Sequence, residues 1–486
     1  MYEELIAQHS SVFQQIANHF RCTDQDIAIN KHFSEGKSGD LVLLICIRKA
    51  AASQDCGSYV LKIFSSENCS QEAARTHMAN EHTGGPSILT PKLRLFGTSP
   101  PFYLYDKAGD TFMQATSLAE LESHAAANCL ESLSQKLLSE WNDHLQLRAV
   151  SLHGLIQSWL ENWRLEPGSR LSQRIEAQIT DGLAPAFRFH EAWYPNPLYY
   201  MVGDTAPLSQ GMADLQCALY GQVHGDLNEH NVIVQRLPGG VGYQFSLIDF
   251  EQYRSQAPLL FDQAYLLLCL LLQDATCYTL IEWSEKIEVF FNGLRELSDV
   301  EGPNKPPFSY MRAHISSMKW FINHQQEHNR SEAVWQLLAA HMAVGLNFVN
   351  KRNSDDRQQK MALLYTAIAL RTLLRSLGIP AQELADAPSL QASAGENSEL
   401  WRQVDRFSFD NRYILLSVCG EEEGAGEVMQ RLSPIKWSMV VEMNDLTDNR
   451  FGAGCCRCIS VSRAIGYTAF PPRSSMCSSR PRPGCT

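Results

Sequence analysis

Apolar positions Leu5, Ile6, Val12, Phe13 and Ile16 recur at helical spacing, which predicts an amphipathic lead-in helix over residues 1–23. From Ile27 the period changes to two. The runs 27–33, 41–47 and 59–64 are β-branched or aromatic and are separated by turn residues, the pattern of an antiparallel meander. A helix is expected over 70–81, then strands at 93–96 and 102–105. Five strands with a helix between the third and fourth make a β-rich lobe spanning 24–106. Beyond Ser117 the spacing is mostly helical. Leu/Ala periodicity fills 118–163, and 354–377 reads as a helix with Ser354 as N-cap, Asp355 and Asp356 in its first turn and Gly378 past its end. A helical lobe over 107–380 follows from this. Residues 381–398 are small and polar and predict a linker. The strand-like runs 413–419 and 437–443, with helix-prone residues between, predict a partial α/β segment over 399–450.

Composition narrows the function classes. At roughly 150 residues per domain, 486 residues imply about three domains or one large domain with insertions. Hydrophobic residues at 44% and charged ones at 19% suit a globular chain with a sizeable core. The balance of 41 Lys+Arg against 53 Asp+Glu gives a net charge of −12, which argues against a dedicated duplex-binding surface. The greasiest stretch is broken by Asp262 and Gln263, which leaves seven apolar positions in a row (266–272), far short of the roughly 20 that a membrane span needs. Met1-Tyr2-Glu3-Glu4-Leu5 has no leader character. The 14 cysteines are thinly spread as far as Cys419, a usage that fits reduced thiols and a cytoplasmic location.

The stretch richest in chemistry is Val223-His224-Gly225-Asp226-Leu227-Asn228-Glu229-His230-Asn231, followed by the apolar run 232–235. After Pro238-Gly239-Gly240 the chain returns as Tyr243-Gln244-Phe245-Ser246-Leu247-Ile248-Asp249-Phe250-Glu251. Two apolar runs joined by Pro-Gly-Gly predict a β-hairpin. The start of its first strand then lies beside the end of its second, so Asn231 and Asp249 meet although 18 positions separate them. An amide oxygen beside a carboxylate is an all-oxygen pair suited to Mg²⁺ on nucleotide phosphates. Asp226, one loop away, is placed to act as a base or to orient an attacking hydroxyl.

His-Gly-Asp-Leu-x-x-x-Asn followed by Ile-Asp-Phe-Glu resembles the catalytic loop and metal motif of aminoglycoside phosphotransferases and choline kinases, within the protein-kinase-like fold. The match is complete from His224 to Asn231 and from Ile248 to Glu251. The resemblance implies an α+β, two-lobed architecture with a β-rich N-lobe and a mainly helical C-lobe. It implies Asp226 as the catalytic aspartate, Asn231 and Asp249 as Mg²⁺ ligands, and ATP as the nucleotide, with His224 and Glu251 as supporting members of the two motifs.

Lys62 is the one charged residue in the apolar run Val60-Leu61-Lys62-Ile63-Phe64. An ammonium there is costly unless it finds a partner or reaches water along an edge strand. By the same resemblance, Lys62 would contact nucleotide phosphates and pair with a Glu on the following helix; Glu72 fits, with Glu67 and Glu81 as rivals. Gly36 and Gly39, in the turn between the first two strands, belong either to a phosphate-covering loop or to a plain hairpin turn. A Walker reading of Gly36-Lys37-Ser38 fails, because the position five before Gly36 is Lys31. Asp262 would either brace the catalytic-loop backbone or cap the helix that follows. Residues 102–105 match the position of the interlobe hinge.

Two function classes result. One is an ATP-dependent phosphotransferase acting on a hydroxyl of a small molecule or a protein. The other is a nucleotide-sensing regulatory module of a larger bacterial signalling or defence protein. The acceptor region, 115–215 with the helices of 310–377, holds Trp141, Trp159, Trp163, Trp193 and a Tyr cluster at 194–200, which are either core or a cage for a cationic amine. Residues 451–486 hold five Cys and five Arg but no Asp, Glu, Lys or Leu, which predicts a disordered tail that is out of frame or otherwise not native. Its lone Cys-x-x-Cys has no second pair to complete a zinc site.

Overall fold

A computed structural model describes residues 2–33, 40–52, 56–64, 70–82, 88–107, 115–179, 184–202, 206–208, 214–237, 242–273, 275–298, 300, 302–303, 306–351, 354–379, 404–409, 413–418, 441–444 and 457–462. Met1–Gln391 forms one unit and Ala392–Thr486 a second.

The chain opens with two helices, α1 (Tyr2–Gln8) and α2 (Ser10–Phe20), where the spacing predicts one. The break falls at His9, whose φ of −113° and ψ of 30° leave the helical region. One face of α2, made of Val12, Phe13, Ile16, Ala17 and Phe20, is buried against a sheet. The sheet is built from β1 (Ile27–Phe33), β2 (Leu41–Ile47) and β3 (Gly57–Ile63). After α3 (Ser70–His82) and the two-residue β4 (Ile88–Leu89) come β5 (Leu93–Thr98) and β6 (Pro101–Asp106). The order is β1-β2-β3-β6-β5, antiparallel throughout.

Alternation along the strands decides what each sheet face does. Leu43, Ile45 and Ile47 of β2 and Tyr59, Leu61 and Ile63 of β3 are buried and join α2, Phe102 and Leu104 in the N-lobe core. Each such side chain contributes about 1.5–3 kcal/mol when fully buried. A two-residue period then sends Lys62, between Leu61 and Ile63, to the opposite face. The expected hinge at 102–105 is interior to β6, paired with β3 on one side and β5 on the other.

In the C-lobe, β7 (Ala115–Ser117), α4 (Ser123–Ser139), β8 (Gln146–Ser151), α5 (Leu152–Leu160) and α6 (Arg170–Glu176) lead to the small hairpin of β9 (Ala186–Phe189) and β10 (Ala192–Pro195). After α7 (Pro197–Met201), β11 (Asp214–Val223) runs into the motif loop. The predicted hairpin is β12 (Val232–Arg236) with β13 (Tyr243–Leu247), flanked by β7 and β4. Next come β14 (Arg254–Pro258), α8 (Phe261–Gln273), α9 (Leu280–Glu296), α10 (Phe308–Asn323), α11 (Arg330–Asn350) and α12 (Asp356–Ser376).

Helix α8 is buried on every side from Phe261 to Leu272, so it forms the centre of the C-lobe core rather than one face of it. Among the described residues no helix is long and apolar enough to cross a membrane. Helix α12 is capped by Asp355, not by Ser354: Asp355 accepts from the Gln358 N–H in a capping box. The Ser354 hydroxyl is instead spent on the Lys351 carbonyl at 2.8 Å. The two separate cores and this element order make a two-lobed protein-kinase-like fold.

In the second unit the described residues are four strands, β15 (Val404–Phe409), β16 (Tyr413–Val418), β17 (Val441–Asn444) and β18 (Arg457–Ser462). They form an antiparallel sheet in the order β15-β16-β18-β17. Strand β18 departs from the expectation that residues after 451 carry no regular structure. Its sequence, Arg-Cys-Ile-Ser-Val-Ser, has the alternation of a strand even without Leu. The linker at 381–398 and the helix-prone stretch before 437 lie outside the described residues.

Candidate active site

The hairpin register brings the two motifs together. Val232 pairs with Leu247, and one step further the Ile248 N–H donates to the Asn231 carbonyl at 3.1 Å, which sets Asp249 beside Asn231. Asp249 takes left-handed backbone angles, φ 66° and ψ 68°, as the chain leaves β13 for a 3-10 turn at Phe250–Gln252. A non-glycine residue held there costs on the order of 1–2 kcal/mol and persists because its surroundings impose it.

The loop from His224 to Asn231 is fixed from several sides. Gly225 has φ +83°, and a Cβ at that position would lie 2.4 Å from the Gln252 carbonyl oxygen, so the motif glycine is needed for both conformation and space. Asp262, in the first turn of α8, accepts from the backbone N–H groups of His224 at 2.5 Å and Gly225 at 2.9 Å. Those bonds make Asp262 a brace of the loop rather than a helix cap. Burial pushes its carboxyl up, while His224 and the two N–H donors pull it back. His224 is itself buried, and its Nε2 lies 2.9 Å from the Ile248 carbonyl, which only accepts, so Nε2 carries the proton. The imidazole ties the first motif to the second.

Inside the loop, the Asn228 amide oxygen accepts from the N–H groups of His230 and Asn231 at 3.0 and 3.2 Å. Asn231 Nδ2 donates to the Asp226 carbonyl at 2.8 Å, which leaves its Oδ1 as the atom available to a cation. Asp226 is half-buried; its Oδ1 accepts from the Tyr265 hydroxyl at 2.8 Å.

Lys62 reaches across from the N-lobe. Its Nζ is 2.7 Å from Glu72 Oε2 on α3 and 3.8 Å from Asp249 Oδ1. Of the rivals to Glu72, Glu81 stands 3.3 Å from His77 on its own helix, and Glu67 lies outside the described residues. Burial works against the Lys62 ammonium, but Asp249 and Glu72 together outweigh it and hold its pKa above the ordinary lysine value. Burial likewise pushes the Glu72 carboxyl up, Asp249 and Glu251 add to that, and Lys62 pulls it back. Glu251 is exposed on the 3-10 turn.

The motif resemblance and the hairpin together single out Lys62, Glu72, His224, Asp226, Asn231, Asp249 and Asp262, and the contacts above link them in the fold. Gly36 and Gly39 lie outside the described residues. The candidate aromatic cage divides: Trp141 and Trp159 are buried in the C-lobe core, with Trp159 Nε1 donating to the Pro258 carbonyl at 2.9 Å, whereas Trp163 is 52% exposed. Two residues are missed by the motif reading, Asn228 and Tyr265. Tyr265 sits three positions after Asp262 and so shares its helix face, a signal hidden by the apolar run around it. Among the described residues no group of three or more His, Cys, Asp or Glu is placed to hold a metal ion. A cation at Asn231 and Asp249 would complete its shell with phosphate and water oxygens, as Mg²⁺ commonly does.

No protein-family model and no curated protein sequence matches the chain. Solved structures that resemble it are aminoglycoside phosphotransferases and choline and ethanolamine kinases. A thermostable aminoglycoside phosphotransferase mutant, in ternary complex with ADP and hygromycin B, is 12% identical with a TM-score of 0.39, over 75% of this chain and 98% of that one. Choline kinase from Cryptosporidium parvum Iowa II is 10% identical with a TM-score of 0.38, over 76% of this chain and 94% of that one. An ethanolamine kinase of Plasmodium vivax is 13% identical with a TM-score of 0.35, over 73% of this chain and 84% of that one. At these identities and TM-scores the likeness adds nothing to what the site's own residues say.

Proposed function

We propose that this chain is an ATP-dependent phosphotransferase that passes the γ-phosphoryl group to a hydroxyl of a small molecule or a protein. The observation that carries this reading is Lys62 from the N-lobe standing 3.8 Å from Asp249, which the hairpin in turn sets beside Asn231. A cation donor and two oxygen donors converge where a nucleotide's phosphates would lie. The oxygen-only pair of Asn231 Oδ1 and the Asp249 carboxylate fits Mg²⁺, which when bound would neutralise phosphate charge.

The protein's own residues then divide the work. Lys62, held by Glu72, offers its ammonium to phosphate oxygens. Asp226 accepts a hydrogen bond from the acceptor hydroxyl, which turns the hydroxyl oxygen's own lone pair along the line of attack. Asp262 and His224 hold the loop backbone, so that Asp226 arrives already positioned. Phosphoryl transfer relies mostly on such positioning and on charge neutralisation. The appended second unit is what favours the other reading, a nucleotide-sensing module of a larger protein. An ATP-using site and cysteines spread thinly along the sequence suit the cytoplasm.

ADP release from Mg-ATP separates the two readings. Wild type should turn over, with water or an added hydroxyl compound as acceptor. Asp226→Asn should bind nucleotide as wild type does and lose turnover by about 10²–10⁴-fold. Equal turnover in the two proteins would overturn the assignment of Asp226.

A further inference from the structure

The two oxygens of the Asp226 carboxylate are held unequally. Oδ1 accepts from the Tyr265 hydroxyl at 2.8 Å, whereas the Asn228 amide approaches Oδ2 only to 3.4 Å, the limit of a hydrogen bond. We propose that Tyr265 is the positioning residue of the catalytic aspartate: it fixes the rotation of the carboxylate and leaves Oδ2 as the oxygen that meets the acceptor hydroxyl. The proposal rests on the phosphotransferase reading above.

The aspartate's own torsion does not fix that rotation, because the last torsion of Asp is broad and roughly two-fold. A carboxylate anchored at one oxygen can present the other in only one direction. Tyr265 is suited to be that anchor because it is itself immobile. Its side chain is 1% exposed, its ring stacks on Phe261 at 5.8 Å and packs on Phe348 at 5.3 Å, and the Lys351 ammonium lies 4.8 Å from its centroid. The phenol keeps its proton, since burial first, and then Cys269 and Asp226, hold its pKa well above the ordinary tyrosine value. It is therefore a donor at every working pH.

Helix α8 thus supports Asp226 twice on one face. Asp262 holds the backbone of the loop, and Tyr265, one turn on, holds the side chain. The second bond goes to the group that touches the reacting hydroxyl. A displacement of about 1 Å at that group can cost on the order of 100-fold in rate.

Tyr265→Phe tests this, because the stacking ring remains and only the hydroxyl is lost. With Mg-ATP and no added acceptor, kcat for ADP release should fall about 10- to 100-fold while KM for Mg-ATP stays within twofold, and the thermal midpoint should change little. An unchanged kcat overturns the proposal, as does a fall in kcat accompanied by an equal loss of nucleotide affinity. A second measurement is independent of turnover. Crystal structures of wild type and Tyr265→Phe should show the Asp226 carboxylate in one orientation in the first and turned or divided in the second. One shared orientation overturns the proposal. Asp226→Asn, assayed alongside, keeps the two claims apart: if wild type and Asp226→Asn release ADP equally, the phosphotransferase reading fails, while the crystal comparison still decides whether Tyr265 holds the carboxylate.

Discussion

Leu61 and Ile63 are buried on one face of β3 while Lys62 faces the cleft, where an ammonium without partners would cost several kcal/mol. Glu72 and Asp249 meet that cost from two different elements. Losing the ammonium and losing one of its two partners should therefore have unequal consequences. Lys62→Met should lower kcat/KM for Mg-ATP by about 100-fold or more, because the charge on the phosphates goes with it. Glu72→Gln should cost only about tenfold, since Asp249 still stands opposite the ammonium; steady-state kinetics of ADP release checks both, and an equal loss in the two variants contradicts the account. At this scale much was legible. Lys62 stands out as a charge in an apolar strand, Asn231 and Asp249 as polar residues at the ends of a hairpin, and Asp226 as a carboxylate one loop before it. Tyr265 was not legible, because a tyrosine inside a run of leucines has the same pattern whether or not its hydroxyl is used.

Among the elements, the motif loop depends on a glycine in a way a substitution can measure. Gly225→Ala places a methyl group 2.4 Å from the Gln252 carbonyl and forces a left-handed angle on a residue with a Cβ. The expected cost is about 2–3 kcal/mol in urea unfolding, with a loss of turnover larger than the loss of stability explains, because the loop must shift away from Asp262. Wild-type turnover in a stably folded Gly225→Ala protein would show that the loop has slack this structure does not give it. Most strands and the hairpin follow from period-two patterning and turn residues. Two features did not. The lead-in helix breaks at His9, and the cap of α12 falls to Asp355 because Ser354 bonds backward.

For the whole molecule, acid sensitivity is built into the packing of α10, α11 and α12. His314 and His341 are fully buried with their Nε2 atoms 3.1 Å apart, and His341 Nδ1 lies 2.7 Å from the Tyr365 hydroxyl. Burial lowers the pKa of His314 to about 3 and, with His314 adding to it, that of His341 well below its ordinary value. Both are neutral in the fold and take up protons only on unfolding, so stability is full above about pH 6.5 and is lost as pH falls through that value. Between pH 7.5 and 5 each histidine should remove about 2 kcal/mol. His314→Gln should roughly halve that loss, measured as urea midpoints at the two pH values; an unchanged pH dependence would place the acid sensitivity elsewhere. Two lobes with separate cores were legible as a switch from period two to helical spacing. The strand at Arg457–Ser462 was not, because the absence of Leu and carboxylates masked a short alternating run.

In the proposed reading, Asp249, beside Asn231 and opposite Lys62, holds magnesium and a nucleotide's phosphates. Calorimetric titration of ATP into wild type and Asp249→Ala, each with and without Mg²⁺, tests it directly. The account predicts that Mg²⁺ tightens ATP binding to wild type at least tenfold and has little effect on Asp249→Ala. An Asp249→Ala protein that binds Mg-ATP as tightly as wild type would contradict it.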